Sequence, residues 1–397
     1  MQELGSAGRP RQSPVRRLQR DGVAHTVNLT GGMLSHMTAQ IDAAKPVLVT
    51  GASGYVAGWI VRYLLEDGYS VRGTVRDPAK ASGLEHLHAL QDAHPGRLSL
   101  HKADLLDEGS YAEAMDGCEL VIHTASPFLI GRVRDPEAQL VRPALDGTRN
   151  VLGSVNATPS VKRVVLTSSV VAIQGDNIDM KGRGPFTEAD WNTTSSVDHQ
   201  PYPYSKTVAE KAAWEIADAQ DRWDMVTIHP GLVLGPSLTT ASKSGSMTTM
   251  KSFIDYSLAT GAPDIAMGCV DVRDVARAHI AAGFTPAAHG RYITNAQSVT
   301  MVEIGRMLRR RFGHSYPFPY TVMPKPMFRL VGPFAGFSRE FIDKNVGWPL
   351  AFDNSRSIAE LGLQYRPVED TLADHFQQMI DDGLVHKPWG PRRSHHG

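Results

Sequence analysis

Apolar and polar positions alternate between two periods from residue 46 to about residue 230. Short valine-, isoleucine- and leucine-rich runs repeat: "PVLVT" (46–50), "YSVRGTVRDP" (69–78), "RLSLHKADL" (97–105), "CELVIHTASP" (118–127), "VKRVVLTSS" (161–169) and "WDMVTIHPG" (223–231). Runs of this length and composition read as buried strands. Between them the period changes. Val56, Ile60 and Leu64 recur every fourth residue, which places them on one helix face. "DPEAQLVRPALDGTRNVLGSV" (135–155) and "SKTVAEKAAWEIADAQ" (205–220) also read as helices. Strands alternating with helices predict an α/β fold, a Rossmann-type doubly wound parallel sheet with helices on both faces. Ligands of such sheets bind beyond the carboxyl ends of the strands. The residues at those ends are Gly51, Arg76, Asp104, Thr124, Ser169 and Pro230.

Past Pro230 the pattern loosens. "LGPSLTTASKSGSMTTMKSF" (234–253) reads as a long loop or flap, while "GCVDVRDVARAHIAAGF" (268–284) gives a short strand and a helix. The expected organisation is a dinucleotide-binding domain over 45–230 to which 268–295 returns. A smaller, sequence-discontinuous substrate lobe follows over 231–267 and 296–385, and a tail over 386–397. Residues 1–44 stand apart. "GRPRQSPVRRLQR" is basic and without apolar periodicity, and lacks the apolar centre of a secretory signal. This extension reads as disordered, either an organelle transit peptide or an over-long start upstream of Met33 and Met37.

The first strand runs into Gly51, Gly54 and Gly58 and then into the helix carrying Val56. Glycine lets a ligand approach the main chain. A helix start offers unpaired N–H groups and partial positive charge to a pyrophosphate. A glycine triplet between strand and helix is therefore a dinucleotide signal. The second strand ends on Arg76, with no acid inside it. At that position an acid binds the 2′-hydroxyl of NAD, whereas an arginine suits the 2′-phosphate of NADP. NADP(H) is the expected cofactor.

"QPYPYSKTVAEKAAW" opens another helix. Its prolines are tolerable only at or before the first turn, so the helix is expected to begin near Pro203. Tyr202 then stands at its mouth, and Lys206 lies one turn on, on the same side. A nearby ammonium is expected to lower the tyrosine pKa from about 10. A serine hydroxyl from the adjacent strand end would polarise a carbonyl oxygen. Tyr204 competes, but it faces the other side of the turn.

Formal net charge is +0, which removes the electrostatic case for nucleic acid. No run of eighteen apolar residues suggests a membrane span. "MFRLVGPFAGF" (327–337) reads as core or pocket lining. Cys118 and Cys269, the 2 cysteines, read as reduced buried thiols of a cytoplasmic protein. The 16 histidines form no HExxH or Cys/His pattern, so no metal site is expected.

Together "VTGASGYVAGWIV", "GTVRDP", "KADL", "HTASPF", "RVVLTSS", "YPYSKTVAEKAAW" and "HPGLVLGP" resemble the extended short-chain dehydrogenase/reductases of the NAD-dependent epimerase/dehydratase superfamily. The resemblance is to the branch of dihydroflavonol reductases, cinnamoyl-CoA reductases and yeast methylglyoxal/ketone reductases, and it runs from about residue 45 to 385. It implies Ser169, Tyr202 and Lys206 as catalytic residues. It implies Gly51, Ser53, Gly54, Tyr55, Val56, Arg76, Asp104, Leu105, Thr124, Ala125, Tyr202, Lys206, Pro230 and Val233 along the cofactor. The implied activity is hydride transfer from NADPH to the carbonyl of a small or medium aldehyde or ketone, by a monomer or homodimer, with Tyr202 as acid. Asp146 stands where many relatives carry an active-site Asn. Phe128, Trp191, Met247 and Phe253 are expected to line an apolar pocket. Two competing readings share the fold: a nucleotide-sugar epimerase or dehydratase with bound NAD, and a non-catalytic NADP-binding regulator. Against the first, Ser169 is followed by Val170, Val171 and Ala172 rather than by an acidic pair. Against the second, both Tyr202 and Lys206 are present.

Overall fold

Seven parallel strands make the central sheet of the computed structural model, which describes residues 40–80, 82–126, 133–239 and 245–385. They are β1 (Val47–Thr50), β2 (Val71–Val75), β3 (Leu98–Lys102), β4 (Leu120–His123), β5 (Arg163–Thr167), β6 (Asp224–Pro230) and β7 (Gly290–Thr294). Their spatial order is β7-β6-β5-β4-β1-β2-β3. The chain therefore winds outward from β1 to β3, then restarts at β4 on the other side of β1. The crevice between β1 and β4 is the switch point of a doubly wound sheet.

Alternation along the strands sorts the core into two layers. Val47 and Val49 point to one face and pack with α1 (Tyr55–Glu66) and α4 (Val272–Phe284) through Ile60, Leu64 and Ala276. Leu48 points to the other face and packs with α2 (Arg142–Ala157) and α3 (Pro201–Asp218) through Val151, Leu152 and Ala213. Helices on both sides are why these strands read as continuous apolar runs rather than as alternating ones. Gly73 has a packing reason: a Cβ there would lie 2.8 Å from the Ala52 Cβ, inside the glycine turn.

The lobe carries its own core. Strands Leu232–Leu234, Ala266–Asp271 and Gln297–Thr300 form a three-stranded sheet. Beside it Phe253, Phe318 and Phe376 pack with Leu308 and Leu372. Strand Gly290–Thr294 pairs with β6 of the main sheet and helix Val272–Phe284 packs on it, while strand Ala266–Asp271 pairs within the three-stranded sheet.

Several expectations are corrected here. The flap is not wholly a loop, since Gly245–Ser252 is helical; residues 240–244 lie outside the described ones. Met247 and Phe253, expected along a pocket, are buried in the lobe core. Segment 327–337 is not mainly core: Leu330 is 70% and Phe334 92% exposed, and of its side chains beyond glycine Phe328 alone is buried. The boundary of the N-terminal extension also moves. Ile41 packs on the main core, and the Asp42 N–H donates to Glu119 Oε2 at 2.9 Å. Residues 41–44 therefore belong to the folded domain. A chain starting at Met37 keeps these contacts and is expected to match the full chain in melting temperature and cofactor affinity. Calorimetry and a binding titration check this, and a loss of either would show that residues 1–36 contribute to the fold. Among the described residues, no helix is long and apolar enough to cross a membrane.

Candidate active site at the switch point

The turn after β1 is built for close approach. Gly51 has φ 65, in the left-handed region, and a Cβ there would lie 3.2 Å from the Ala125 backbone beyond β4. The two strand ends are bolted by Thr50. Its Oγ1 accepts from the Thr124 and Ala125 N–H groups at 3.1 Å each and contacts His123 Nδ1 at 2.8 Å. Thr124 Oγ1 donates back to Thr50 O at 2.6 Å. That hydroxyl is therefore occupied in joining strands. Because burial pushes His123 down to about 3, its ring is neutral and Nδ1 accepts the Thr50 proton.

Helix α1 starts on Gly54, with no side-chain cap and no acid in its first turn. Its first N–H groups thus lack the usual capping oxygen, and nothing there repels an anion. Uncapped N–H groups behind a glycine turn are the kind of cradle that accepts a pyrophosphate. Tyr55 Oη donates to Gly235 O at 2.5 Å, which ties the cradle to the segment after Leu232–Leu234 that carries Val233. Substituting Gly51 with Ala places an L side chain at φ 65 against Ala125, at a cost of about 1–2 kcal/mol from the backbone alone. The expected outcome is a lower melting temperature together with weaker dinucleotide binding. An unchanged dissociation constant would remove Gly51 from the cradle.

Arg76 follows β2 directly and is exposed. Its guanidinium has no protein partner among the described residues. Asp104 accepts from the Leu106 N–H at 2.9 Å, which shapes the turn after β3. Leu105 lies against α2, where a Cβ on Gly147 would sit inside the Leu105 side chain. Leu105, Ala125, Ser126, Thr148, Lys206 and Glu210 line one hollow at the ends of β4 and β5. Asp146 is exposed, and the α2 residues facing this hollow are Ala144 and Thr148. Asp146 is therefore not among the residues that line this hollow.

Helix α3 begins at Pro201, two residues earlier than the prolines predict. Both prolines sit in the first turn, where a missing N–H leaves no helix bond unmade. Gln200, before it, is left-handed at φ 57. It is held there by Asp176, a fully buried carboxylate that accepts from Gln200 Nε2 at 2.7 Å and Asn345 Nδ2 at 2.6 Å and contacts His199 Nε2 at 2.8 Å. Asn192 adds two bonds to the turn that follows Ser169, from its N–H to Ala172 O and from Nδ2 to Val171 O. The start of α3 and the end of β5 are thereby stitched together. This places Tyr202 and Ser169 on linked segments, with a direct hydrogen bond between them absent among the described contacts. Ser169 Oγ lies 3.4 Å from Pro230 O and 3.4 Å from the Val171 N–H.

Lys206 Nζ donates to Ser126 Oγ at 3.1 Å. Burial lowers its pKa to about 8, opposed by the charge of Glu210. Tyr202 does not follow the sequence expectation. Burial pushes its hydroxyl up to about 12, and no cation pulls it down. The residue as a whole is 39% exposed. Tyr204 is half-buried beside it. Trp191 is half-buried, with Arg291 stacked over its ring at 3.9 Å and Lys211 at 5.4 Å. Phe128 lies outside the described residues. Sequence reasoning missed Ser126, Ser168 and Glu210. Ser126 was within reach, being the next residue of the same "HTASPF" motif.

A Rossmann sheet with a glycine cradle at its switch point defines a dinucleotide-binding protein. The profile of the NAD dependent epimerase/dehydratase family matches residues 47–293, and the chain belongs to that family. Cinnamoyl-CoA reductase CAD2 of Medicago truncatula is 37% identical over 344 residues, 84% of this chain and 95% of that protein. Bifunctional dihydroflavonol 4-reductase/flavanone 4-reductase of Pyrus communis is 33% identical over 87% of this chain and 93% of its own. The structure of Gre2 from Candida albicans in complex with NADPH aligns with TM-score 0.70 and 29% identity, covering 85% of this chain and 98% of that one. The resemblance read from the motifs is therefore confirmed.

Proposed function

We propose that this protein is an NADPH-dependent reductase of small or medium aldehydes and ketones. The observation that carries the reading is Lys206, set at the β4–β5 end of the switch-point hollow one turn from Tyr202. The similarity to cinnamoyl-CoA and dihydroflavonol reductases, and to a reductase fold solved with NADPH, supports it.

The residues present fit the dinucleotide. Gly51, Ser53, Gly54, Tyr55 and Val56 would hold its pyrophosphate, and Arg76 the 2′-phosphate. Asp104 and Leu105 would meet the adenine side. Thr124, Ala125, Lys206, Pro230 and Val233 would meet the nicotinamide side. When bound, the cofactor supplies a hydride for the carbonyl carbon. The protein supplies the rest. Tyr202 Oη gives its proton to the oxygen as negative charge develops there, and Ser169 Oγ donates a hydrogen bond to the same oxygen. Interactions that strengthen as charge appears lower the barrier more than they tighten substrate binding. A hydroxyl pushed up to about 12 keeps its proton at neutral pH, which suits reduction. Phenolate, required for the reverse oxidation, is scarce there.

Lys206 must carry its proton to hold the cofactor ribose and balance the charge developing beside Tyr202. Its lowered pKa means that this charge disappears at lower pH than in a free lysine. The reduction rate is therefore expected to be flat near neutrality and to fall as pH rises through about 8. A rate profile that stays flat to pH 10 would take Lys206 out of the mechanism. The activity itself is tested by mixing the protein with NADPH and a panel of aliphatic and aromatic aldehydes and ketones. Loss of nicotinamide absorbance with any of them supports the reading; none across the panel would sink it.

A further inference from the structure

We propose that Glu210 is a positioning residue for this reduction: its buried carboxylate fixes the backbone of Ser169 and keeps the charge on Lys206. The proposal rests on the reductase reading above.

Glu210 lies one turn beyond Lys206 on α3, so both side chains share a face. Both line the switch-point hollow, and Glu210 is the sole carboxylate among its described lining residues. The side chain is 2% exposed. A helix needing only an apolar contact there would carry no charge, because burying a carboxylate is unfavourable unless it is paired and hydrogen-bonded.

Its partners lead back to the site. Oε2 accepts from Ser168 Oγ at 2.5 Å, and Ser168 is the residue directly before Ser169. Oε1 lies 3.2 Å from His229 Nε2. The opposite ring nitrogen, Nδ1, donates to Ser169 O at 3.1 Å. One hydrogen-bonded tether thus runs from the carboxylate through Ser168 to the Ser169 backbone, and on the β6 side His229, whose Nε2 also contacts Thr227 Oγ1 at 2.9 Å, packs between the carboxylate and Ser169 O. Arg291 of β7 donates its Nε to Oε1 at 2.8 Å, and Trp214 Nε1 reaches Oε1 at 3.3 Å. Arg291 also donates to the Glu188 and Asp190 carbonyls, which fixes the guanidinium.

The electrostatics point the same way. Among the described residues, the polar groups that line the hollow beside Lys206 from β4 and its end are His123, a neutral ring, and Ser126. Burial pulls the lysine pKa down, and the charge of Glu210 opposes this.

The test uses Glu210→Gln in the full chain. The amide still accepts from Ser168 but has no charge. Acetic anhydride labelling of Lys206, followed by peptide mass spectrometry across pH, reads the lysine directly and needs no turnover. The midpoint of labelling is expected to move down by about one pH unit or more, with the alkaline limb of kcat/KM moving alongside. A folded variant in which both stay at the wild-type pH overturns the electrostatic role. If Arg291, left unpaired, prevents folding, the E210Q/R291Q double variant repeats the measurement without a stranded cation. Ser168→Ala breaks this tether and leaves the charge. It is expected to lower kcat roughly 10- to 100-fold, with the labelling midpoint and NADPH dissociation constant unchanged. Should neither Glu210 variant fold, this arm decides alone: wild-type kcat in Ser168→Ala overturns the positioning role. Should the wild type reduce no carbonyl while the labelling midpoint moves as stated, the reductase reading falls and the Glu210 assignment to Lys206 stands.

Discussion

Tyr202→Phe lowers kcat for carbonyl reduction by about 10²–10⁴-fold, the usual contribution of a positioned general acid, and leaves NADPH affinity close to that of the wild type. The substitution keeps the ring of this partly exposed residue and removes only the hydroxyl. Without it, the alkoxide that forms on hydride arrival must take its proton from water. Tyr204→Phe is the control. It removes a hydroxyl from the same turn of α3 but on another side, and turnover should change little. Lys206→Ala behaves differently again. It loses the ammonium bonded to Ser126, so both cofactor affinity and turnover should fall. Steady-state kinetics with a separate NADPH titration distinguish the three. Full turnover in Tyr202→Phe would mean that the proton comes from another group.

Arg76→Asp is expected to reverse or abolish a preference for NADPH over NADH. The guanidinium is exposed just past β2 and has no protein partner among the described residues, so a phosphate would not have to displace one. A hydrogen bond to a charged group contributes roughly 1.5–3 kcal/mol, which is about 10- to 150-fold in affinity. Aspartate repels the 2′-phosphate and can accept from the 2′-hydroxyl of NADH instead, so the two effects act together. Dissociation constants for both cofactors, measured at one ionic strength because the contact is screened by salt, give the ratio. Equal affinity of the wild type for NADH and NADPH would contradict the strand-end argument.

The sheet was legible because its strands are buried on both faces and its helices repeat at fixed spacing. Val47, Leu48 and Val49 announce a strand wherever they occur, and Gly51 and Gly54 mark where it turns. The lobe was less legible. Leu232–Leu234 pairs with Ala266–Asp271, and that strand with Gln297–Thr300, so that Cys269 faces both Leu232 and Gln297, each far from it in sequence. Strands of three to six residues leave no local period that states their partner. For the same reason Met247 and Phe253 read as pocket lining and proved to be core. Of the site, the spacing of Tyr202 and Lys206 was visible, and their electrostatics were not. A lysine one turn away suggested a lowered tyrosine pKa, but Lys206 Nζ bonds to Ser126 and burial dominates at Tyr202. Glu210 was invisible for a related reason. In "SKTVAEKAAWEIADAQ" it looks like any charge on a solvated helix face, and only packing against β5, β6 and β7 shows that it is enclosed.

The family also contains epimerases and dehydratases by its description, so the fate of the hydride tests the central claim most directly. In a single turnover with NADPH deuterated on the transferred position of C4, an aldehyde or ketone should become an alcohol with one deuterium on the carbinol carbon for each NADPH oxidised. A nucleotide sugar converted by the protein with no net oxidation of NADPH, and no deuterium transferred to any carbonyl substrate, would contradict the account.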